Sequence, residues 1–382
     1  MTTILRRLAG LAAAAPLIAV AGCGGDAGTG SGDQSGDGPI AVTATDTECD
    51  VAVTEAPAGT VEFEITNQGT KVTEFYLYAE GDRIMGEVEN IGPGLSRTFH
   101  VEVSEGGTYQ TACKPGMVGD GIRADFVVTG DAGSSQDADQ KLAEATDSYQ
   151  RYVGSQTEAL LTRTQEFVDA VKAGDVATAQ SLFPVARTYW ERIEPVAESF
   201  GDLDPKIDGR EEVIADGLEF TGFHRIERDL WVDGIQPDTA AMADRLMADV
   251  TEIVELASTV ELNPLQLANG AKGLLDEVAT GKITGEEDRY SHTDLWDFRA
   301  NVDGSQAAIA SLRPVLEERA PELVATLDER FAELDALLEA QRAGDGFVLY
   351  TDLTPDEVRA LSTALDAVSE PVSQVAGVVA ES

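Results

Sequence analysis

A histidine and a glutamate one helical turn apart, His224 and Glu227, are the residues of this chain best suited to bind a metal ion. They fall on the same helical stripe as Phe220 and Phe223, which predicts that both side chains are buried. A buried carboxylate is costly unless a partner pairs with it. The pattern therefore indicates a metal site or, alternatively, a histidine–glutamate hydrogen bond with Arg228 as the counter-charge.

Two neighbouring segments carry further carboxylates. A predicted helix over residues 186–200 places acidic side chains along one edge, and an aspartate follows in the next loop. Helical bundles build oxygen-rich transition-metal sites from carboxylates on one helix and a carboxylate–histidine pair on another. Such a ligand set suits iron, manganese or zinc better than copper(I), and a solvated acidic face is the alternative. The predicted metal ligands are His224, Glu227, Glu191, Glu194 and Asp208.

A second dense segment, residues 285–298, contains five acids, a histidine and three aromatic residues. We expect this segment to form a wall of the metal site, with His292 and Asp294 supporting the ligands rather than contacting the metal. The alternative is an acidic loop that caps a helix starting near Thr293.

Two of the three cysteines, Cys49 and Cys113, lie in a region of β-type alternation. In an exported protein, such a pair favours a disulfide. The alternative is a second metal site in which both thiolates act together with Glu74 and Asp46. A blue-copper centre needs two histidines near its cysteine, and this region contains only His100. We therefore expect no ordinary electron-transfer copper site.

The N-terminus has the pattern of an export signal. Two arginines precede an apolar run over residues 8–21, too short to span a bilayer, and small residues then lead to Cys23. Bacterial lipoproteins are cleaved before such a cysteine, which is then acylated. We predict a signal peptide over residues 1–22, lipidation at Cys23 and a flexible linker over residues 23–38. The protein is then exported, and it lies either at the outer face of the cytoplasmic membrane or in the periplasm. Its only attachment to the membrane is the lipid anchor.

The chain is strongly acidic, with 69 Asp and Glu against 27 Lys and Arg and a formal charge of −42. Such a charge repels nucleic acid and anionic lipid, which argues against both as partners. Enzyme motifs are scarce as well. The zinc-peptidase signatures are His-Glu-x-x-His and its inverse, His-x-x-Glu-His. This chain has His-x-x-Glu followed by Arg228, so it lacks the second histidine of either.

The candidate ligands lie in two domains, one with the two-residue period of β-strands and the other with the 3.6-residue period of α-helices. Residues 39–130 alternate apolar and polar residues between turn signals, which predicts an all-β, antiparallel sandwich. A Gly/Ser/Asp-rich linker over residues 131–138 follows. Residues 139–382 carry helical stripes, the first of which stops at Gly174, and these predict an all-α domain packed as helical bundles.

Three segments, residues 189–195, 220–227 and 285–304, resemble the EfeO family of periplasmic iron-uptake components. The order of the two domains matches too, so the resemblance covers essentially the whole chain after the signal peptide. It implies a cupredoxin-like sandwich followed by an imelysin-type helical domain. It also implies metal capture and handover rather than catalysis. Because imelysin-type proteins have been grouped with metallopeptidases, a zinc-dependent peptidase is the alternative.

The resemblance further implies site residues, cargo and partners. The family's metal site maps onto His224 and Glu227 with the acidic ligands named above, and its first-domain site maps near Cys49, Glu74 and Cys113. The cargo is iron, as Fe²⁺ or Fe³⁺, with zinc and copper as competitors. The implied partners are a membrane iron permease and a secreted haem-containing peroxidase. Several family members are soluble in the periplasm, and the predicted lipid anchor departs from them.

Overall fold

The computed structural model describes residues 38–130, 140–197 and 203–381. The predicted signal peptide, Cys23 and the predicted linkers, apart from Gly38, lie outside these residues and stay predictions. Within the described part of the chain, no helix combines the length and the apolar character needed to cross a membrane.

The first domain is a sandwich of two packed β-sheets. Its strands are β1 Ile40–Ala44, β2 Cys49–Val51, β3 Glu55–Pro57, β4 Gly59–Asn67, β5 Thr73–Tyr78, β6 Ile84–Ile91, β7 Ser96–Val103, β8 Gly107–Cys113 and β9 Ile122–Thr129. The alternation of apolar and polar residues along the strands directs the apolar side chains into the core between the sheets. In β4, Phe63 and Ile65 are buried while Glu64 between them is exposed. Phe63 reaches across to the second sheet, where its ring centroid lies 5.1 Å from that of Phe75 and 5.4 Å from that of Phe126.

The strand orders of the two sheets are β2-β1-β4-β7 and β3-β9-β8-β5-β6. The prediction of a sandwich is confirmed, but the prediction of purely antiparallel pairing is wrong. Strand β1 runs parallel to β4, and β3 runs parallel to β9. The physical reason is the path of the chain, which crosses to the second sheet at β3 before it returns to the first as β4, so neighbours in space are not hairpin partners.

The second domain is helical, as predicted. Its helices are α1 Gln140–Ala173, α2 Val176–Glu191, α3 Glu194–Ala197, α4 Asp204–Ile207, α5 Gly222–Arg228, α6 Thr239–Ala257, α7 Pro264–Thr280, α8 Asp294–Arg319, α9 Pro321–Glu339, α10 Pro355–Val372 and α11 Val375–Ala380. A short hairpin, β10 Arg342–Ala343 with β11 Gly346–Phe347, joins α9 to α10. Helix α1 packs against α2, α6 and α8, and it ends where predicted, at Gly174 with a φ of +69°.

The predicted continuous helix over residues 186–200 is interrupted. Helix α2 ends at Glu191, and α3 begins at Glu194. Pro195 has no N–H with which to bond the carbonyl of Glu191, so the α-helical ladder cannot continue there. That carbonyl instead accepts a hydrogen bond from Nδ2 of Asn301 at 2.9 Å. Glu191 and Glu194 therefore belong to two different helices and not to one continuous helix edge.

The two domains meet where β6 and β7 face α7. Nδ2 of Asn269 on α7 donates a hydrogen bond to the backbone oxygen of His100 on β7 at 2.8 Å. A cavity of about 560 Å³ lies at this junction, and its walls include Glu87 and Glu89 from β6 and Glu277 from α7. The interface therefore brings acidic side chains of both domains into one partly enclosed space.

Candidate metal centre

Helix α5 presents His224 and Glu227 to the interior, as their stripe predicts. Both side chains are buried. The helix begins at Gly222, which has a φ of +76°, and a Cβ atom at this position would collide with the backbone carbonyl of Ile207. Only glycine lets the start of α5 approach the end of α4 so closely. That approach places His224 beside Asp208, the residue that follows α4.

Glu227 is held at both of its carboxylate oxygens. Oε2 lies 3.0 Å from Nδ1 of His224, and Oε1 accepts the backbone N–H groups of Tyr290 at 3.0 Å and Ser291 at 2.7 Å. A carboxylate on Nδ1 fixes the orientation of an imidazole and directs its Nε2 atom outward. Glu227 therefore orients His224 from behind.

The Nε2 atom of His224 faces two further carboxylates. Asp208 Oδ1 lies 3.5 Å away and Glu287 Oε1 lies 3.6 Å away, and the three atoms lie within 4.8 Å of one another. Among the described residues, this buried Nε2 atom has no hydrogen-bond partner. On the other side of the ring, Asp288 Oδ1 lies 3.9 Å from Nδ1. The imidazole is thus surrounded by oxygen atoms, the donors that hard and borderline cations prefer.

Neighbouring charges shift the pKa values of His224 and Glu287. Burial and the positive charge of Arg187 lower the pKa of His224, but the hydrogen bond to Glu227 and the carboxylates of Glu287 and Asp208 outweigh them and raise it to about 10. Burial also opposes ionisation of Glu287, but Lys282, His224 and Arg210 hold its pKa well below the ordinary value. At neutral pH, an imidazolium therefore lies beside the ionised carboxylate of Glu287, and a metal ion on Nε2 must displace its proton.

Glu191 and Glu194 lie in a neighbouring pocket around Lys282. The ammonium of Lys282 is 3.0 Å from Glu191 and 3.3 Å from Glu194, and Nδ2 of Asn301 donates to both carboxylates at 3.1 Å. Glu191 also pairs with Arg187. Of the predicted ligands, Asp208 and Glu227 lie beside His224. Glu191 and Glu194 instead contact Lys282 and Asn301. That the latter two ligate metal stays a prediction.

The segment over residues 285–298 forms a wall of the site, and its roles are divided. Asp294 Oδ1 accepts the backbone N–H groups of Glu287 at 3.1 Å and Asp288 at 3.2 Å, so it shapes the loop that carries two acids to His224. His292 contributes its backbone: its N–H donates to the carbonyl of Asp288 and its carbonyl accepts from Tyr350. The sequence pattern predicted metal-supporting roles for His292 and Asp294, and it did not single out Glu287 and Asp288.

The sequence contains two signals near this site, although neither shows which acid points inward. Glu287 and Asp288 come two and three residues after Gly285, whose φ of +73° turns the chain toward the site. Arg187 carried a second signal, because it falls on the buried stripe of α2 between Phe183 and Trp190. A cation on a core stripe requires acidic partners.

The mouth of the site is narrow. A cavity of about 10 Å³ is lined by His224, Glu227 and Glu287 from inside and by Arg210 and Tyr290 from outside. Arg210 lies 3.0 Å from Glu287. The site is therefore nearly closed by side chains that would have to move for an ion to pass.

The β domain uses its candidate ligands differently. Cys49 and Cys113 form a disulfide, the pairing that the sequence favoured, and the alternative thiolate site is wrong because both sulfurs are bonded to each other. Glu74 accepts a hydrogen bond from the hydroxyl of Tyr76 at 3.0 Å. Asp46 caps the turn at residues 70–71, accepting from the backbone N–H groups there at 2.8 and 3.2 Å.

Comparison with known proteins agrees with both domains. The imelysin family model matches residues 145–375, and the cupredoxin-like domain model matches residues 13–128. The iron uptake system component EfeO of Escherichia coli strain K12 is 39% identical over 346 residues, which cover 89% of this chain and 91% of that protein. The proteins of the same name from Shigella flexneri and Escherichia coli O157:H7 match with the same identity and coverage.

Proposed function

Because the chain belongs to the EfeO family of iron-uptake components, with a cupredoxin-like domain ahead of an imelysin domain, we propose that it captures iron outside the cytoplasm and delivers it to a membrane permease. It acts in this proposal as a carrier and not as an enzyme. The haem-containing peroxidase of the same uptake system is the second partner. Acylated Cys23 keeps the carrier close to the membrane.

The observation that carries the proposal is the arrangement of Asp208, Glu287 and Nε2 of His224. Their separations of 3.5 and 3.6 Å suit ligands roughly 2.0–2.2 Å from one shared ion at a near-tetrahedral angle. The outward-facing Nε2 atom, without a hydrogen-bond partner among the described residues, is the expected condition of an imidazole prepared for metal. We assign these three side chains as the iron ligands.

Glu227 has a supporting role in this assignment. Both of its oxygens already hold the imidazole and the backbone at residues 290–291, and metal-binding histidines characteristically have such a carboxylate on their second nitrogen. Asp288 lies on the same side of the ring as Glu227. Its Oδ1 atom lies 3.9 Å from Nδ1 and does not face Nε2.

The three ligands suit iron, but zinc and copper can compete with iron for the same site. Two carboxylates and one imidazole are borderline-hard ligands that bind Fe²⁺, and added carboxylate charge favours Fe³⁺ further. Zinc and copper bind similar sets more tightly than Fe²⁺ in the usual order of divalent affinities. Selection for iron then depends on which metal ions are available outside the cytoplasm and on the closed geometry of the site, as well as on the type of ligand.

Anaerobic titration of the purified protein with Fe²⁺ tests the proposal, beside His224→Ala and a matched control, His100→Ala. His100 is the histidine of the β domain, and its ring lies 3.6 Å from Glu62, outside the site. Wild type and His100→Ala are expected to bind one Fe²⁺ tightly, and His224→Ala to lose that binding. Equal Fe²⁺ affinity in all three proteins would contradict the assignment.

A zinc-dependent peptidase is the competing function, since the helical domain matches the imelysin family. The geometry disfavours it, because the zinc-peptidase signature supplies a glutamate as general base, and Glu227 is held at both oxygens. Incubation of the Zn²⁺-loaded protein with a peptide library distinguishes the two. Chelator-sensitive cleavage that is lost in His224→Ala would replace the carrier by an enzyme.

A further inference from the structure

Arg187 lies at the centre of the carboxylate cluster. Its side chain is fully buried, and it reaches carboxylates that come from α2, α8 and the loops after α4 and before α8. Its ion-pair partners are Glu191, Asp208, Glu287, Asp288 and Asp297. A guanidinium presents several N–H donors in a fixed plane, so one arginine can hold this many acids together.

Two of these partners are the carboxylates assigned to iron, and the same oxygen atoms are involved. Asp208 Oδ1 pairs with Nη1 of Arg187 and lies 3.5 Å from Nε2 of His224. Glu287 Oε1 lies 3.5 Å from Nη2 of Arg187 and 3.6 Å from that Nε2 atom. The guanidinium and an ion on His224 therefore compete for the same pair of oxygens.

We propose that Arg187 is a resident cation that competes with the metal cargo, and so sets the affinity low enough for handover. The inference rests on the proposed function and adds a residue to it. When the ion leaves, the guanidinium takes over Asp208 and Glu287, so neither carboxylate is left buried without a partner. When the ion binds, Arg187 keeps its pairs with Glu191 and Asp297, which do not face Nε2.

A purely structural arginine predicts the opposite result. If Arg187 only positions the carboxylates, its removal would scatter the ligands and weaken metal binding. If it competes with the metal, its removal frees two ligand oxygens and takes away a nearby positive charge, so binding becomes tighter. The sign of the change in affinity separates the two roles.

The experiment measures the Fe²⁺ dissociation constant of the full chain anaerobically, together with its melting temperature with and without Fe²⁺. Arg187→Gln is expected to bind Fe²⁺ at least about tenfold more tightly, the size of effect that groups around a metal commonly have. It is also expected to gain a larger rise in melting temperature on Fe²⁺ addition than wild type. Arg187→Lys keeps a charge without the planar fork and is expected to fall between the two.

Arg225→Gln is the matched control, because Arg225 is a buried arginine on α5 that pairs with Asp229 and Asp238 instead of the cluster. Its Fe²⁺ affinity should equal that of wild type. If Arg187→Gln folds only when Fe²⁺ is present, that rescue supports competition, because the ion then replaces the missing cation. Failure to fold even with Fe²⁺, together with unchanged affinity in Arg187→Lys, would overturn it.

Different results would overturn the competing role of Arg187 and the carrier function. Binding of Fe²⁺ by wild type with equal or weaker binding by Arg187→Gln would overturn the competing role of Arg187 and leave the carrier function in place. No binding of Fe²⁺ by wild type would overturn both.

Discussion

In the β domain the candidate ligands serve the structure, whereas in the helical domain they remain directed at one point. Cys49 and Cys113 are cross-linked, and Glu74 and Asp46 hold neighbouring groups through hydrogen bonds. Around His224, by contrast, an imidazole nitrogen without a hydrogen-bond partner in the described chain faces two carboxylates. Residue type alone is therefore a poor guide to a metal site, and the atoms that the fold leaves unpaired are a better one.

A similar contrast exists inside the helical domain. The pocket around Lys282 also contains buried acids, yet its ammonium and Nδ2 of Asn301 contact both Glu191 and Glu194. The pocket around His224 differs because its acids surround an imidazole, whose proton a metal ion can replace. Two adjacent acidic pockets thus differ in the cation that each contains.

The largest expected effect comes from removing carboxylates from one pocket or the other. Asp208→Asn with Glu287→Gln should weaken Fe²⁺ binding on the order of a thousandfold, since two charged ligands are lost. The matched pair, Glu191→Gln with Glu194→Gln, should stay within about tenfold of wild type. Anaerobic calorimetric titration measures both. Equal losses in the two double variants would show that the pockets act as one site.

The next effect concerns the β domain. Replacing Cys49 and Cys113 by alanine removes a cross-link between residues 64 positions apart, and it should lower the free energy of unfolding by about 2–4 kcal/mol. The Fe²⁺ dissociation constant should not change, because the disulfide does not contact the His224 site. Denaturant unfolding and metal titration of the same variant provide the two values. A large loss of Fe²⁺ affinity would place part of the capture step in the β domain.

A smaller effect is expected from Glu227→Gln. The amide cannot accept hydrogen bonds from the imidazole and from two backbone N–H groups as the carboxylate does, so His224 loses its fixed orientation. Fe²⁺ binding should weaken by about 10–100-fold, which is typical of a group that orients a metal ligand. Loss as complete as in His224→Ala would identify Glu227 as a direct ligand instead.

The smallest effect concerns the domain interface, where Glu87, Glu89 and Glu277 line one cavity. Burial, and the nearby charge of Glu74, raise the pKa of Glu87 to about 7. Because this folded-state pKa lies above the unfolded value near 4.5, the protonated carboxyl contributes stability below pH 4.5 that is lost as the pH rises through 7.

Glu87→Gln should remove this pH dependence. Its melting temperature should match that of wild type near pH 4 and exceed it by a few degrees at pH 8. Thermal denaturation across that range, with Glu64→Gln as the control at an exposed position of the β domain, measures the difference. The same gain at both pH values would assign the effect to packing.

Sequence reasoning succeeded where a pattern is local. The sandwich, the helical domain and the burial of His224 and Glu227 all follow from periods of two or 3.6 residues. It failed at the break after Glu191, where Pro195 stood in the sequence but the replacement of its missing hydrogen bond by Asn301 depends on a residue far along the chain. It also missed Glu287, because an acidic loop shows no period that reveals which side chain points inward.

The sequence by itself determined which residue types are available and which faces of the elements are buried, because hydrophobic periodicity is a property of consecutive residues. Only the tertiary structure decided which buried acids share a cation. Arg187, His224 and Lys282 come from three separate segments, and each carboxylate was assigned to one or more of them by packing. Electrostatic pairing acts over a few ångströms in space, so it follows the folded arrangement and not the distance along the chain.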